Sequence, residues 1–408
     1  MELVPVVFFG LYFLYLLNKR GLDVSTFVSL LYLITSVFSL VMFRMNLVDE
    51  KYSHPSFFAT LTYCLLLFLS IQPLYRIDFR KINLNVTEKT GKIIKSLTYV
   101  FLFNLVLFLF LRLQEINQII INGDYLALRQ DIMSEDDQTA SGFMGLLIII
   151  TNILSSISFV MIFIFFISIT YYKNSWWFNL FAFLGSLPQV LGGILTVNRS
   201  NVFYYVIIFA LCYIMFQKRI STKIKLRFFL PVGTALVAMM MFFSSVTVSR
   251  FDNTNSSYGS VDNSLISYAG MSYSNYCYFF DYYNNPDWLS TRYLLPVTNF
   301  VLKGYRSGVD REQEQSERTG FNCVAFMTFL GSFIMDSNQM MPFIYIIIYL
   351  LLFRLCRNHV RQNTISFAWL LAVFLLAIVP AVGCLSYFYT NPFKSLALYA
   401  LLFYVFKK

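Results

Sequence analysis

The chain has 408 residues, 58% of them hydrophobic, 19% aromatic and only 13% charged, with a formal charge of +10 and a positive mean hydropathy. So little polar side chain cannot cover a water-soluble globule of this length, so the composition excludes a soluble enzyme and puts the chain in a bilayer. The basic balance does not point to nucleic acid, because the placement of the charges is that of a membrane topology signal.

In chain order, the first apolar run, residues 3–17, has no basic segment before it and is followed by Asn18, Lys19 and Arg20 instead of small residues. It reads as a first membrane helix and not as a cleaved signal. Further apolar runs lie at 24–43, 57–72, 96–111, 143–170, 177–197, 202–217, 228–247, 339–353, 365–381 and 395–406. This predicts an all-α, polytopic membrane protein with about eleven transmembrane helices. Every second connection is basic: nineteen of the 31 Lys and Arg fall in this set, against three acids, Asp23, Asp78 and Glu88. By the positive-inside rule these connections are cytoplasmic, so the N-terminus lies outside and the C-terminus is cytoplasmic. An odd number of helices requires the same result. Two large loops then lie outside, 113–142 and 248–338, the second between helices 8 and 9. With no internal repeat, heptad or linker, residues 1–408 read as one membrane domain carrying an extracytoplasmic cap.

The passage that opens the second loop is the longest stretch without a membrane-length apolar run. It is crowded with aromatics and carries Arg250, Arg292, Arg306, Arg311 and Arg318. Guanidinium groups suit phosphates, and aromatic faces suit sugars or lipid headgroups. Tyr282, Tyr283 and Trp288 are the candidate sugar-stacking set, against the plain alternative of an interfacial aromatic belt. Residues 264–280 are too rich in Tyr and Ser to read as a helix, whereas 310–318 reads as a short solvated helix or turn.

Signatures of soluble enzymes are missing: there is no phosphate-cradling glycine loop, His-Glu-x-x-His, Cys-x-x-Cys or Gly-x-Ser-x-Gly. Asp136 and Asp137 suggest a cation site or, as the more ordinary reading, a solvated acidic loop, and no metal is expected. Among six scattered cysteines, Cys277 and Cys323 form the one plausible disulfide pair. His54, expected outside, is a candidate base or a plain surface histidine; His359 falls inside among arginines. Arg199 stands between two apolar runs with almost no loop, which holds it at the outer surface. It is either a snorkelling anchor or a clamp for the phosphate of a membrane-borne substrate. Arg250 follows the eighth helix and Asp336 precedes the ninth, at the same expected depth. A guanidinium pair with a carboxylate there can hold a pyrophosphate leaving group and deprotonate an attacking hydroxyl. The competing reading of Asp336 is a carboxylate favoured by a helix N-terminus.

The run Gly193-Ile-Leu-Thr-Val-Asn-Arg-Ser-Asn-Val-Phe-Tyr-Tyr-Val resembles the arginine-centred helix junction of the Wzy-type O-antigen and capsular repeat-unit polymerases. Thr319-Gly-Phe-Asn-Cys-Val-Ala-Phe, followed by Phe329-Leu-Gly-Ser-Phe-Ile-Met-Asp, resembles the stretch that closes that family's large outer loop. Ser337 and Asn338 stand where the family usually has a glycine soon after the aspartate. The resemblance implies a GT-C-like glycosyltransferase of the bacterial inner membrane. Such an enzyme passes a growing chain from its undecaprenyl-pyrophosphate carrier to the terminal sugar of a newly arrived lipid-linked oligosaccharide, without nucleotide, metal or other cofactor. In such an enzyme the candidates are Asp336 or His54 as base and Arg199, Arg250 and Arg306 at the pyrophosphate, with a flippase and a chain-length regulator as partners beside membrane lipids. An O-antigen ligase would share this plan and differ in acceptor. A flippase or other transporter fits less well, since transporters favour even helix counts, repeats and mid-helix charges.

Overall fold

A computed structural model describes residues 1–48, 54–113, 117, 143–195, 199–226, 233–234, 261–283, 316–317, 320, 328–336, 338–360, 364–385 and 396–407. The chain is helical and multi-pass. Six helical stretches are long and apolar enough to cross a membrane: α1 (Leu3–Arg20), α2 (Val24–Arg44), α3 (Phe57–Tyr75), α4 (Glu88–Leu111), Trp176–Leu195, and a later helix at Met341–Asn358. The pair α5 (Phe143–Ser156) and α6 (Val160–Ile167), bent by 56° and extended by a π-helical turn at Ser168–Tyr172, makes a seventh if taken as one span. Trp176–Leu195 divides into α7 (Trp176–Leu184) and α8 (Pro188–Leu195), and α9 follows at Arg199–Phe216. Then come α10 (Val261–Tyr282), α11 (Phe329–Asp336), α12 (Met341–Asn358), α13 (Phe367–Val382) and α14 (Leu396–Lys407). The apolar run 228–247 lies outside the described residues apart from 233–234.

The chain divides into two compact units, the first comprising residues 1–82, 251–363 and 372–396, the second 83–250, 364–371 and 397–408. In the first, helix ends are set by ordinary capping chemistry. Gly21 ends α1 at φ 65°, where a side chain would be strained, and the Asp23 carboxylate accepts from Thr26 N at 2.8 Å to start α2. Within α13, Pro380 cannot donate to the Leu376 carbonyl, and the Tyr349 hydroxyl donates to it at 3.3 Å instead. Tyr32 donates to the Pro380 carbonyl at 2.9 Å.

The helix α10 corrects the reading of residues 264–280 as non-helical. Weak helix formers build it because packing, not propensity, stabilises it. It lies along α2 and α3, with Ser267, Ser272 and Ser274 buried on it and Ser29, Ser36 and Ser39 buried on α2. Gly270 lets the backbones meet: a Cβ there would lie 2.7 Å from the Phe38 carbonyl oxygen. Small residues at helix interfaces permit this approach. Its aromatics pair one turn apart, Tyr276 with Phe280 at 5.8 Å and Phe279 with Tyr283 at 5.3 Å between centroids. The remainder of 248–338 expected as a cap lies mostly outside the described residues, as does the loop 113–142 except 113 and 117.

The second unit is built around α6, apolar on every side and fully buried, as a core helix must be. Phe166 packs on Phe209 at 5.3 Å and Phe216 at 6.0 Å. Where the π-helical turn leaves this core, the parallel strands β1 (Asn83–Asn85) and β2 (Thr364–Ser366) pair. Arg219 donates to the Asn83 Oδ1 at 2.8 Å and lies 4.9 Å from the Tyr171 ring centroid. Connections expected on one face of the membrane therefore gather at one end of this unit. The first unit shows the same grouping, since Arg20 at the end of α1 donates to the Tyr75 carbonyl at the end of α3 at 2.8 Å.

Candidate functional site

Opposite that basic end of the first unit, three chain segments are tied together by polar contacts. Ser56 caps α3, its Oγ accepting from Ala59 N at 3.0 Å. The same Oγ donates to the Asp281 Oδ1 at 2.7 Å, and Ser56 N donates to the Asp281 Oδ2 at 3.4 Å. A carboxylate is favoured at a helix N-terminus, so Asp281 fixes the end of α10 against the start of α3. One turn and two turns back on the same face of α10 lie Cys277 and Tyr273. The Tyr273 hydroxyl is 2.7 Å from the Thr60 Oγ1, and Tyr63 sits between Tyr273 and Tyr276 with centroids at 5.0 and 5.3 Å.

The third segment joins through Tyr283, which is fully buried and donates its hydroxyl to the Met335 carbonyl at 2.8 Å. Gln339 returns a side-chain bond to the Tyr283 carbonyl at 2.8 Å. These bonds set the end of α11, and with it Asp336, beside the end of α10.

His54 and Asp336 are thus brought to one end of the first unit. His54 is exposed two residues before Ser56, and Asp336 is the last residue of α11. Asp336 does not start a helix, since α12 is preceded by Met340 and α11 stops at the aspartate. A carboxylate at a helix C-terminus gains nothing from the helix dipole, so the helix-stabilising reading of Asp336 is withdrawn. Tyr282 is exposed, 62%, beside Asp281, with the Tyr278 ring 5.2 Å away between centroids. Tyr283 is committed to internal packing. Arg199 opens α9 in the second unit. Arg250, Arg306 and Trp288 lie outside the described residues. Cys277 is a buried free thiol, and Cys323 lies outside the described residues.

Sequence reasoning missed Asp281, Ser56 and Gln339. A signal was present: Tyr273, Cys277 and Asp281 recur every four residues, the spacing of one helical face, and Asp281 is the sole carboxylate in residues 264–283. Among the described residues no three His, Cys, Asp or Glu side chains group as metal ligands. Comparison of the chain with protein-family models, with curated proteins and with solved structures gives no match.

Proposed function

We propose that the chain is an oligosaccharide repeat-unit polymerase of the bacterial inner membrane. It spans the bilayer about eleven times, with the N-terminus periplasmic, and joins undecaprenyl-pyrophosphate-linked units into O-antigen or capsular polysaccharide at the periplasmic face. The observation that carries this reading is the placement of His54, Asp281, Tyr282 and Asp336 in segments that share the non-basic end of the first unit. Asp336 closes the second of the two runs that resemble the polymerases, and the positive-inside rule puts its end of the unit outside.

In this reading Arg199, with Arg250 and Arg306, binds the pyrophosphate of the carrier and stabilises the charge that grows on it as the glycosidic bond breaks. Asp336 or His54 takes the proton of the attacking sugar hydroxyl. Tyr282 offers a ring face to the acceptor sugar. Asp281, with both oxygens engaged by Ser56, positions the segment that bears Tyr282 and takes no part in the chemistry.

Deleting the gene in its native host and resolving the surface glycan on a gel tests the reading. Single repeat units outside are expected. Complete polymer left on its lipid carrier makes the protein a ligase, and loss of all units outside makes it a flippase; either result overturns the polymerase assignment.

A further inference from the structure

The basic end of the first unit holds a cavity of about 560 Å³ formed where α1, α3 and α12 end. Six cations and a single carboxylate, Asp78, line it. Asp78 accounts for part of that charge: it lies 3.0 Å from Arg80, 3.4 Å from Arg20 and 3.8 Å from Lys81. Arg80 and Arg20 are also held by backbone carbonyls, Arg80 donating to Arg20 O at 2.7 Å and Arg20 to Tyr75 O at 2.8 Å. They are wall residues, fixed in orientation. The side chains of Lys19, Arg76 and Arg357 make no ion pair or hydrogen bond among the described residues, and each comes from a different helix end.

A positive-inside signal requires only that Lys and Arg lie on one side of the membrane. It does not require them to converge on a cavity, nor a carboxylate that pins some and leaves others free. Three unpaired cations around a concave wall are the equipment for a multiply charged oxyanion, and two of them are arginines with the planar fork that matches phosphate. The cavity opens at the ends of membrane-length helices, the depth of a headgroup.

We infer that this cavity is a binding site for a phosphate group, on the face opposite the proposed polymerase site, with Arg76 and Arg357 as the principal ligands. The inference rests on the geometry of the first unit and stands independently of the polymerase reading. The phosphate can come from an anionic lipid headgroup or from a free phosphate in the cytoplasm.

The test uses the full chain purified in detergent, probed separately with phosphatidylglycerol, phosphatidylcholine and inorganic phosphate. Lipid retention by native mass spectrometry and the shift in Tm are the readouts. Retention of phosphatidylglycerol over phosphatidylcholine, weakened about tenfold by Arg76→Gln or by Arg357→Gln, is the expected result for a headgroup site. A Tm shift with inorganic phosphate that these variants abolish, without lipid selectivity, supports the site and identifies the source as free phosphate. Arg354→Gln, on the same helix as Arg357 but away from the cavity, is the control. The inference is overturned if no probe distinguishes the parent from the double variant Arg76→Gln, Arg357→Gln, or if Arg354→Gln loses as much. Neither arginine side chain carries a hydrogen bond or ion pair among the described residues, so a parent-like Tm without ligand is expected of both variants.

Discussion

The two ends of the first unit solve the problem of charge in opposite ways. At the basic end many cations share one carboxylate, and the surplus lines a cavity. At the other end the Asp281 carboxylate is consumed by the serine that caps α3, and aromatic rings and the Gln339 amide lie beside it. The first arrangement leaves free cations in place to meet an anion. The second spends its polar bonds on fixing three helix ends around the exposed ring of Tyr282. Surplus charge at one end and preorganisation at the other are different devices, and they fail differently when single residues are changed.

The largest effect is expected for the proposed chemistry. Arg199→Lys keeps charge and reach but loses the planar fork, so it should insert and accumulate normally while leaving mostly unpolymerised units. Loss of such a donor costs about 3 kcal/mol in the transition state, roughly a hundredfold in rate. Normal polymer from this variant would return Arg199 to the anchoring class. Arg250→Lys should act in the same direction more mildly, and Arg354→Lys should be silent.

Breaking the preorganised end comes next. Asp281→Ala removes the partner of Ser56 and should cost about 2 kcal/mol, read as a lowered Tm together with less polymer per folded molecule. An unchanged Tm would show that the bond does not hold the helix ends together.

The adjacent tyrosines sharpen the comparison, because they should separate stability from binding. Tyr283→Phe loses the bond to the Met335 carbonyl and should cost stability by about 1 kcal/mol, with glycan binding unchanged. Tyr282→Ala should leave Tm unchanged and weaken glycan binding by about 1 kcal/mol. Equal effects in both readouts would deny the division.

At the basic end the effect is smallest. Burial pushes the Asp78 carboxyl up, but the hydrogen bonds and charge of Arg80, with the charge of Arg20, outweigh it and hold it below the usual carboxylate range. The folded value being the lower, its contribution is present above the unfolded value of about 4 and is lost as pH falls through the folded one. Asp78→Asn should therefore lower Tm slightly at neutral pH, by no more than about 1 kcal/mol at this partly exposed site. The difference from the parent should shrink only below about pH 4. A difference unaltered by acid would mean that the ion pairs contribute nothing.

Membrane helices were legible because their signal is additive: α1, α2, α3, α4 and α12 each carry enough apolar residues to be read without knowing their neighbours. The grouping of basic connections was legible for the same reason. The helix α10 was not, since its serines and tyrosines are poor formers in isolation and become a helix through α2 and α3, which sequence does not place beside it. Asp336 was read at the start of a helix because the apolar run at 339–353 follows it. The short helix α11 that it ends is itself apolar, and its boundary depends on the bond from Tyr283 to Met335, fifty-two residues apart in the chain. Asp281 was hidden for a related reason: the pairing with Ser56 spans 225 residues.

The most direct measurement gives the purified protein nothing but undecaprenyl-pyrophosphate-linked single repeat units and follows the product on a gel. A ladder of increasing length with release of undecaprenyl pyrophosphate, absent with Arg199→Lys, is the predicted result. Units that remain single, from a protein that instead moves ready-made polymer onto a lipid A core acceptor, would contradict it.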